Sequence, residues 1–160
     1  MDAISILIID HQEAKRAMAE LAKAPAALRN ELLTALMGAL EMHDVIEEQT
    51  FYPAVDANPK AFGISGMDKD AHKAIEQAFI HVSTLASDAP EWSRAFASAR
   101  GMLMKHIDDE EFKTFVRVRE IMSTEELAEL GRRMEQQKDR LVYAALTPSS
   151  RRHAVTSQGS

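Results

Sequence analysis

The chain has 160 residues, a formal charge of −6 and no cysteine. That length suits one domain with a full core. The missing thiols exclude disulfides, thiolate metal sites and Cys nucleophiles, so any metal must be held by imidazole and carboxylate. The acidic balance gives nucleic acid little to bind, and no run of about 18 apolar residues offers a membrane span. The start, Met-Asp-Ala-Ile-Ser, carries no basic stretch of a signal peptide, which makes a cytoplasmic location the expectation.

Apolar residues recur at steps of three and four and no alternating strand pattern is present, so the expected fold is all-α. A first helix over about 3–24 places Ile4, Leu7, Ala14, Met18 and Leu21 on one stripe with His11, and Pro25 ends it. The short connection sends the second helix, about 27–52, back antiparallel, with Leu33, Leu36, Leu40, His43 and Glu47 facing the same interior. Phe51-Tyr52-Pro53 is expected to close it, and residues 53–68, with Pro53, Pro59, Gly63 and Gly66, to form a long loop. A third helix, about 69–87, carries His72, Ile75, Phe79 and Val82. A fourth, about 90–120, starts at Pro90 and aligns Trp92, Phe96, Ala99, Leu103, His106 and Glu110. Ser123-Thr-Glu-Glu126 has the spacing of a capping box and opens a fifth helix to about Leu146. Its thin apolar stripe, interrupted at Gln137, suits packing on the bundle or on a second copy as a homodimer, and nothing in it looks chemical. The expected architecture is thus an up-down-up-down four-helix bundle over about 3–120 with an additional C-terminal helix over about 123–146, together one domain (1–146). A flexible tail (147–160) follows, too polar to fold.

One stretch occurs twice. Residues 38–48 and 101–111 share Gly-x-Leu-x-x-His-x-x-x-Glu-Glu, setting His43 four residues before Glu47 and His106 four before Glu110. On a helix each pair projects from one face, so each copy is half of a metal site. At 1.5 Å of rise per residue, His72 and His106 both lie about 24 Å from the turn near 88–90, and His11 and His43 about 21 and 27 Å from Pro25. Six groups therefore converge at one level: His11, His43, Glu47, His72, His106 and Glu110. Four imidazoles and two carboxylates exceed the needs of one tetrahedral zinc and suit two metals bridged by carboxylate in a bundle core. Mixed nitrogen and oxygen ligation favours iron, although manganese or zinc also fits such groups.

This order of elements, His, then His-x-x-x-Glu followed by Tyr-Pro, then His, then His-x-x-x-Glu, resembles the hemerythrin-like (HHE cation-binding) family from about Ile4 to Phe115. The resemblance implies that the four histidines are terminal ligands, that Glu47 and Glu110 bridge two irons, and that the irons share an oxo or hydroxo group. It implies a protein that binds or senses oxygen, nitric oxide or iron, or an oxidoreductase that removes hydrogen peroxide or nitric oxide; an interaction scaffold is the third reading. Oxygen-carrying hemerythrins have His-x-x-x-His in the third helix, where this chain has Glu76 four residues after His72, and a fourth-helix His-x-x-x-x-Asp, where it has Glu110 at spacing four. One coordination position is therefore unassigned, and water, substrate, Glu76 or Tyr52 can fill it.

Other residues have plainer expectations. His81, nine residues after His72, falls on the opposite face, and His153 lies in the tail. Glu48, Asp108, Asp109 and Glu111 are off the ligand face and read as a solvated acidic surface, and Asp10 is only a neighbour in sequence. Tyr52 points away from His43 on an ideal helix, but the following proline makes the wheel unreliable there. Its counterpart in the second copy is Phe115, which favours plain aromatic packing. Gly38 and Gly101 cost about 1 kcal/mol each relative to Ala; close helix approach, room for a small molecule or chance would explain them. The nine methionines read as core filler.

Overall fold

A computed structural model describes residues 1–64 and 68–147. Gly66 and the expected tail from residue 148, with Arg151, Arg152 and His153, lie outside the described residues. Among the described residues all regular structure is helical: α1 (Ala3–Lys23), α2 (Ala26–Ile46), α3 (Tyr52–Asp56), α4 (Asp68–Thr84), α5 (Pro90–Asp109), α6 (Phe115–Ile121) and α7 (Thr124–Leu146). Two π turns, Glu47–Phe51 and Glu110–Thr114, join α2 to α3 and α5 to α6, so each pair is one interrupted rod. Four rods make the expected bundle, and α7 packs across α1 and α2.

The helix ends follow from local chemistry. Asp2 accepts from the Ser5 N–H at 2.9 Å and caps α1. Pro25 precedes α2, and Pro90 occupies the first position of α5, where no N–H is needed. The capping box opens α7, with Ser123 N–H donating to Glu126 at 2.7 Å and Glu126 N–H to the Ser123 hydroxyl at 3.2 Å. Gly131 lies where the chain start crosses α7. A Cβ there would stand 2.9 Å from the Ala3 nitrogen and overlap the Met1 carbonyl.

One expectation about the second rod fails. Phe51-Tyr52-Pro53 does not close it, since the rod runs on to Asp56. Proline normally breaks a helix because it lacks an N–H and crowds the carbonyl four residues back. Here the π turn has already widened the spiral, with the Tyr52 N–H donating to the Glu47 carbonyl five residues back, and Pro53 falls in the first turn of α3. The loop is correspondingly shorter. It is held by Asn58, whose side chain donates to the Ile121 carbonyl at 2.8 Å, and it turns through Gly63 at a φ of 80°.

The apolar core is split in two. One cluster joins Ile4, Leu7, Ile46, Phe51, Val55, Phe115, Val118, Leu130 and Met134 at the end that α7 covers. The other joins Met18, Leu21, Leu33, Leu36, Phe79, Val82, Trp92, Phe96 and Leu103 at the opposite end. Each such side chain, fully buried, contributes about 1.5–3 kcal/mol. Between the clusters lies a single polar layer.

Candidate metal centre

That layer is made of the six groups read from the sequence. His11 comes from α1, His43 and Glu47 from the end of the α2 rod, His72 from α4, and His106 and Glu110 from the end of α5; all six are buried, both glutamates completely. Glu47 divides its oxygens, Oε1 lying 3.5 Å from His43 Nε2 and Oε2 3.2 Å from His72 Nε2. Glu110 Oε2 stands 3.2 Å from His11 Nε2 and 3.3 Å from His106 Nε2. The Nε2 atoms of His72 and His106 approach to 3.1 Å. Two overlapping groups result, His11 with His43, Glu47 and Glu110, and Glu47 with His72, His106 and Glu110. Within each, the candidate ligand atoms lie within 4.8 Å of one another.

The chemistry of these donors fits metal ions. His11 Nε2, both Glu47 oxygens and Glu110 Oε2 are buried with no hydrogen-bond partner among the described residues, although they face one another. The facing imidazole nitrogens stand 3.2–3.5 Å from these carboxylate oxygens, within ion-pair range. An orphaned buried polar atom costs about 1–3 kcal/mol, more when charged. Donors about 2.1 Å from a common ion stand roughly 3 Å apart, the spacing seen here, so cations shared between these atoms would satisfy them together.

The electrostatics point the same way. Burial disfavours the charged forms of His43 and His72, yet Glu47 and the nearby carboxylates outweigh it and hold them protonated to about 9 and about 10. Burial, reinforced by the Glu110 charge, raises Glu47 to about 7. Burial pushes Glu110 up too, but His11, His106 and Tyr52 stabilise its charge and bring it down to about 2. His106 is lowered to about 4, first by burial and then by the other imidazoles. Without a metal, the layer balances its two buried carboxylates with protons on His43 and His72 and, as pH falls through about 7, on Glu47 itself.

The π turns begin at Glu47 and Glu110 and explain a residue the helical wheel places wrongly. One extra residue in a turn rotates everything beyond it by about 100°. Tyr52, in regular helical geometry at φ −62° and ψ −39°, is thereby brought from the outer face to the inner one. It is buried, and its hydroxyl donates to Glu110 Oε1 at 2.6 Å. The same shift in the second copy turns Phe115 inward to stack on His11, with ring centroids 5.7 Å apart.

Glu76, by contrast, is exposed and belongs to neither group. α4 buries the stripe through His72, Ile75, Phe79 and Val82, which leaves Glu76 on the outer side. His81 is exposed as expected.

The solvated-surface reading holds for Asp108 and for Asp109, which pairs with Lys105 and Lys113. It fails for Glu48 and Glu111. His72 Nδ1 donates to Glu48 at 3.3 Å, and His11 Nδ1 to Glu111 at 3.0 Å. Residues one step beyond a ligand are turned about 100° from it, which in a bundle aims them at the neighbouring helix. Asp10 is likewise more than a neighbour in sequence, for it accepts from His43 Nδ1 at 3.3 Å. Carboxylates on the far ring nitrogen fix the tautomer and orientation of a ligating imidazole. The signal was the second Glu of the repeat, present in both copies. Behind these carboxylates stand lysines: Lys15 lies 3.3 Å from Glu111, and Lys138 of α7 lies 2.5 Å from Asp10. α7, in which the sequence shows nothing chemical, thus reaches the layer through Lys138.

Two openings reach the layer. A cavity of about 390 Å³ between α1 and α2 is lined by Ala14, Ala17, Ala35 and Ala39 and ends on His11, His43 and His106. Another, of about 610 Å³, is bordered by Phe62, Ile75, Met102 and Lys105 and touches His106 from the side of α4 and α5. Gly38 and Gly101 border neither a close helix contact nor any atom within 4 Å of a built Cβ, so crowding does not account for them. No helix among the described residues is long and apolar enough to cross a membrane.

Residues 2–118 match the model of the hemerythrin HHE cation binding domain. A crystal structure of a hemerythrin HHE cation binding domain-containing protein from Mycobacterium kansasii is similar in fold, with a TM-score of 0.78 and 24% identity over 92% of this chain and 94% of that one. No curated protein matches the sequence.

Proposed function

The chain belongs to the hemerythrin HHE cation-binding domain family, and from that premise we propose that it holds two iron ions in the polar layer and uses them to bind or sense a small ligand such as oxygen or nitric oxide, or iron itself. The observation that carries the reading is the sharing of Glu47 and Glu110 between two four-residue groups. His11 and His43 would serve one ion, His72 and His106 the other, with the glutamates common to both. Such a pair of ions, which the family resemblance pairs with an oxo or hydroxo group, would supply reversible one-electron changes and open positions for a diatomic or peroxide ligand. The protein's own part is to exclude water with the two apolar clusters, to orient the imidazoles through Glu48, Glu111 and Asp10, and to admit ligand along the alanine-lined cavity.

A second reading, an oxidoreductase that removes hydrogen peroxide or nitric oxide, is favoured by Tyr52. A buried phenol donating to Glu110 at 2.6 Å places a mobile proton at the edge of the centre, and cleavage of an oxygen–oxygen bond needs one. Tyr52 is also placed to ligate iron directly. Metal analysis with an absorption spectrum tests the first reading: about two irons per chain is expected, and a protein that takes up none would sink it. Oxygen evolution on adding hydrogen peroxide separates enzyme from carrier.

A further inference from the structure

The apolar stripe of α7 passes from Leu130 through Met134 to Leu141, and at the turn between the last two it presents a lysine. Lys138 reaches α1, where its ammonium donates to both oxygens of Asp10, at 2.5 and 2.7 Å. Asp10 in turn accepts from Nδ1 of His43, whose Nε2 faces Glu47. Three helices are thus joined in one line from α7 across α1 to α2, over the layer between the two cores. Gln137, beside it, donates to Gln49 in the first π turn at 3.1 Å. The polar break in the α7 stripe therefore falls where the helix crosses the centre.

We infer that Lys138 is a positioning residue of the centre: by holding Asp10 in place it fixes the imidazole of His43 and so sets how firmly the ion at His11 and His43 is retained. The inference rests on the di-iron reading and adds to it a role for the helix that lies beyond the family match. Without the ammonium, Asp10, which is only partly buried, is free to turn toward water and release His43. Lysine fits this place because its stem continues the apolar stripe while its charge reaches past it.

The test uses the full chain loaded with ferrous iron, following iron release to a chelator and the absorption spectrum. Lys138→Met keeps the apolar stem and removes the charge; Lys138→Arg keeps the charge; Asp10→Asn removes the charge on the next link. Partners of metal-binding imidazoles are worth about 10- to 100-fold in affinity, so Asp10→Asn is expected to speed release by about 10- to 100-fold. Lys138→Met, one link farther out, should do so by about three- to tenfold, with Lys138→Arg near the wild type. The melting temperature of metal-free Lys138→Met should equal or exceed that of the wild type. Release from Lys138→Met at the wild-type rate would overturn the inference. So would a fall in metal-free melting temperature in step with faster release, which would mark a merely structural lysine. A wild-type protein that binds no iron would overturn the di-iron reading and this inference together, whereas loss confined to the variants bears on Lys138 alone.

Discussion

The two four-residue groups share both glutamates and differ in what stands behind their imidazoles. His11 and His43 are each backed by a carboxylate that is itself held by a lysine, Glu111 by Lys15 and Asp10 by Lys138, and both carboxylates are partly buried. On the other side His72 is backed by Glu48, whose side chain is 39% exposed and has no described lysine partner, while His106 borders both cavities. The first half of the centre is braced and the second is open behind its imidazoles, while the alanine-lined cavity reaches histidines of both. A hydrogen-bonded network holds geometry best when every member is satisfied, so the braced half is suited to retaining an ion and the open half to releasing one.

The largest expected effect comes from removing what the halves share. If the centre holds two ions as proposed, Glu47→Ala and Glu110→Ala should each abolish binding of both rather than one, lowering metal content from about two per chain to near zero. An ion present at 1,000 times its dissociation constant stabilises the fold by about 4 kcal/mol, which in a chain of this size is about 10 °C of melting temperature. Metal removal from the wild type should cost about as much, and these variants should not respond to metal. His43→Ala and His72→Ala should instead each empty one half. If either single-histidine variant lost both ions, the division into halves would be wrong.

The carboxylates behind the imidazoles give a finer test. Glu111→Gln and Asp10→Asn are expected to weaken metal retention by about 10- to 100-fold, the usual range for such partners. Glu48→Gln should fall at or below the lower end, because a half-exposed side chain orients its imidazole less firmly. Chelator competition on the three variants would rank them, and equal losses would remove the distinction between braced and open.

Tyr52→Phe probes the border between the halves. It leaves Glu110 Oε1 without its donor, a loss of about 1–3 kcal/mol, and tests the second reading of function directly. If the phenol delivers a proton, oxygen evolution from peroxide should drop while iron content stays near two per chain. A broad visible band that disappears in this variant would instead make Tyr52 an iron ligand.

The sequence made the shared part of this centre legible and left the difference between its halves obscure. Helical spacing and the repeated His-x-x-x-Glu identify all six inward groups, because ligands must share a face and a level, and both follow from a fixed rise and rotation. The same arithmetic fails beyond Glu47 and Glu110, where the π turns change the rotation. That is why the wheel turns Tyr52 outward and ends the second rod at Pro53. Glu48, Glu111 and Asp10 were passed over for another reason: their partners are on other helices, and a wheel drawn for one helix cannot show them. Lys138 lies farther still in sequence, on a helix whose apolar stripe explained its packing without it.

The smallest expected effect concerns the glycines that open each copy of the repeat. Gly38 and Gly101 are exposed, and a Cβ at either would meet nothing within 4 Å. Close packing does not call for them, so replacement by alanine is expected to act through backbone entropy. Gly38→Ala and Gly101→Ala should each stabilise the fold by about 1 kcal/mol, roughly 2–4 °C in melting temperature, with iron content and release unchanged. The contrast with Gly131 is instructive, because there the Met1 carbonyl and the Ala3 nitrogen occupy the space a side chain needs, and alanine should destabilise. If Gly38→Ala or Gly101→Ala lost iron, the straight helix leading into each half would have to bend when metal binds. The two halves would then differ less in their bracing than in how far each rod yields.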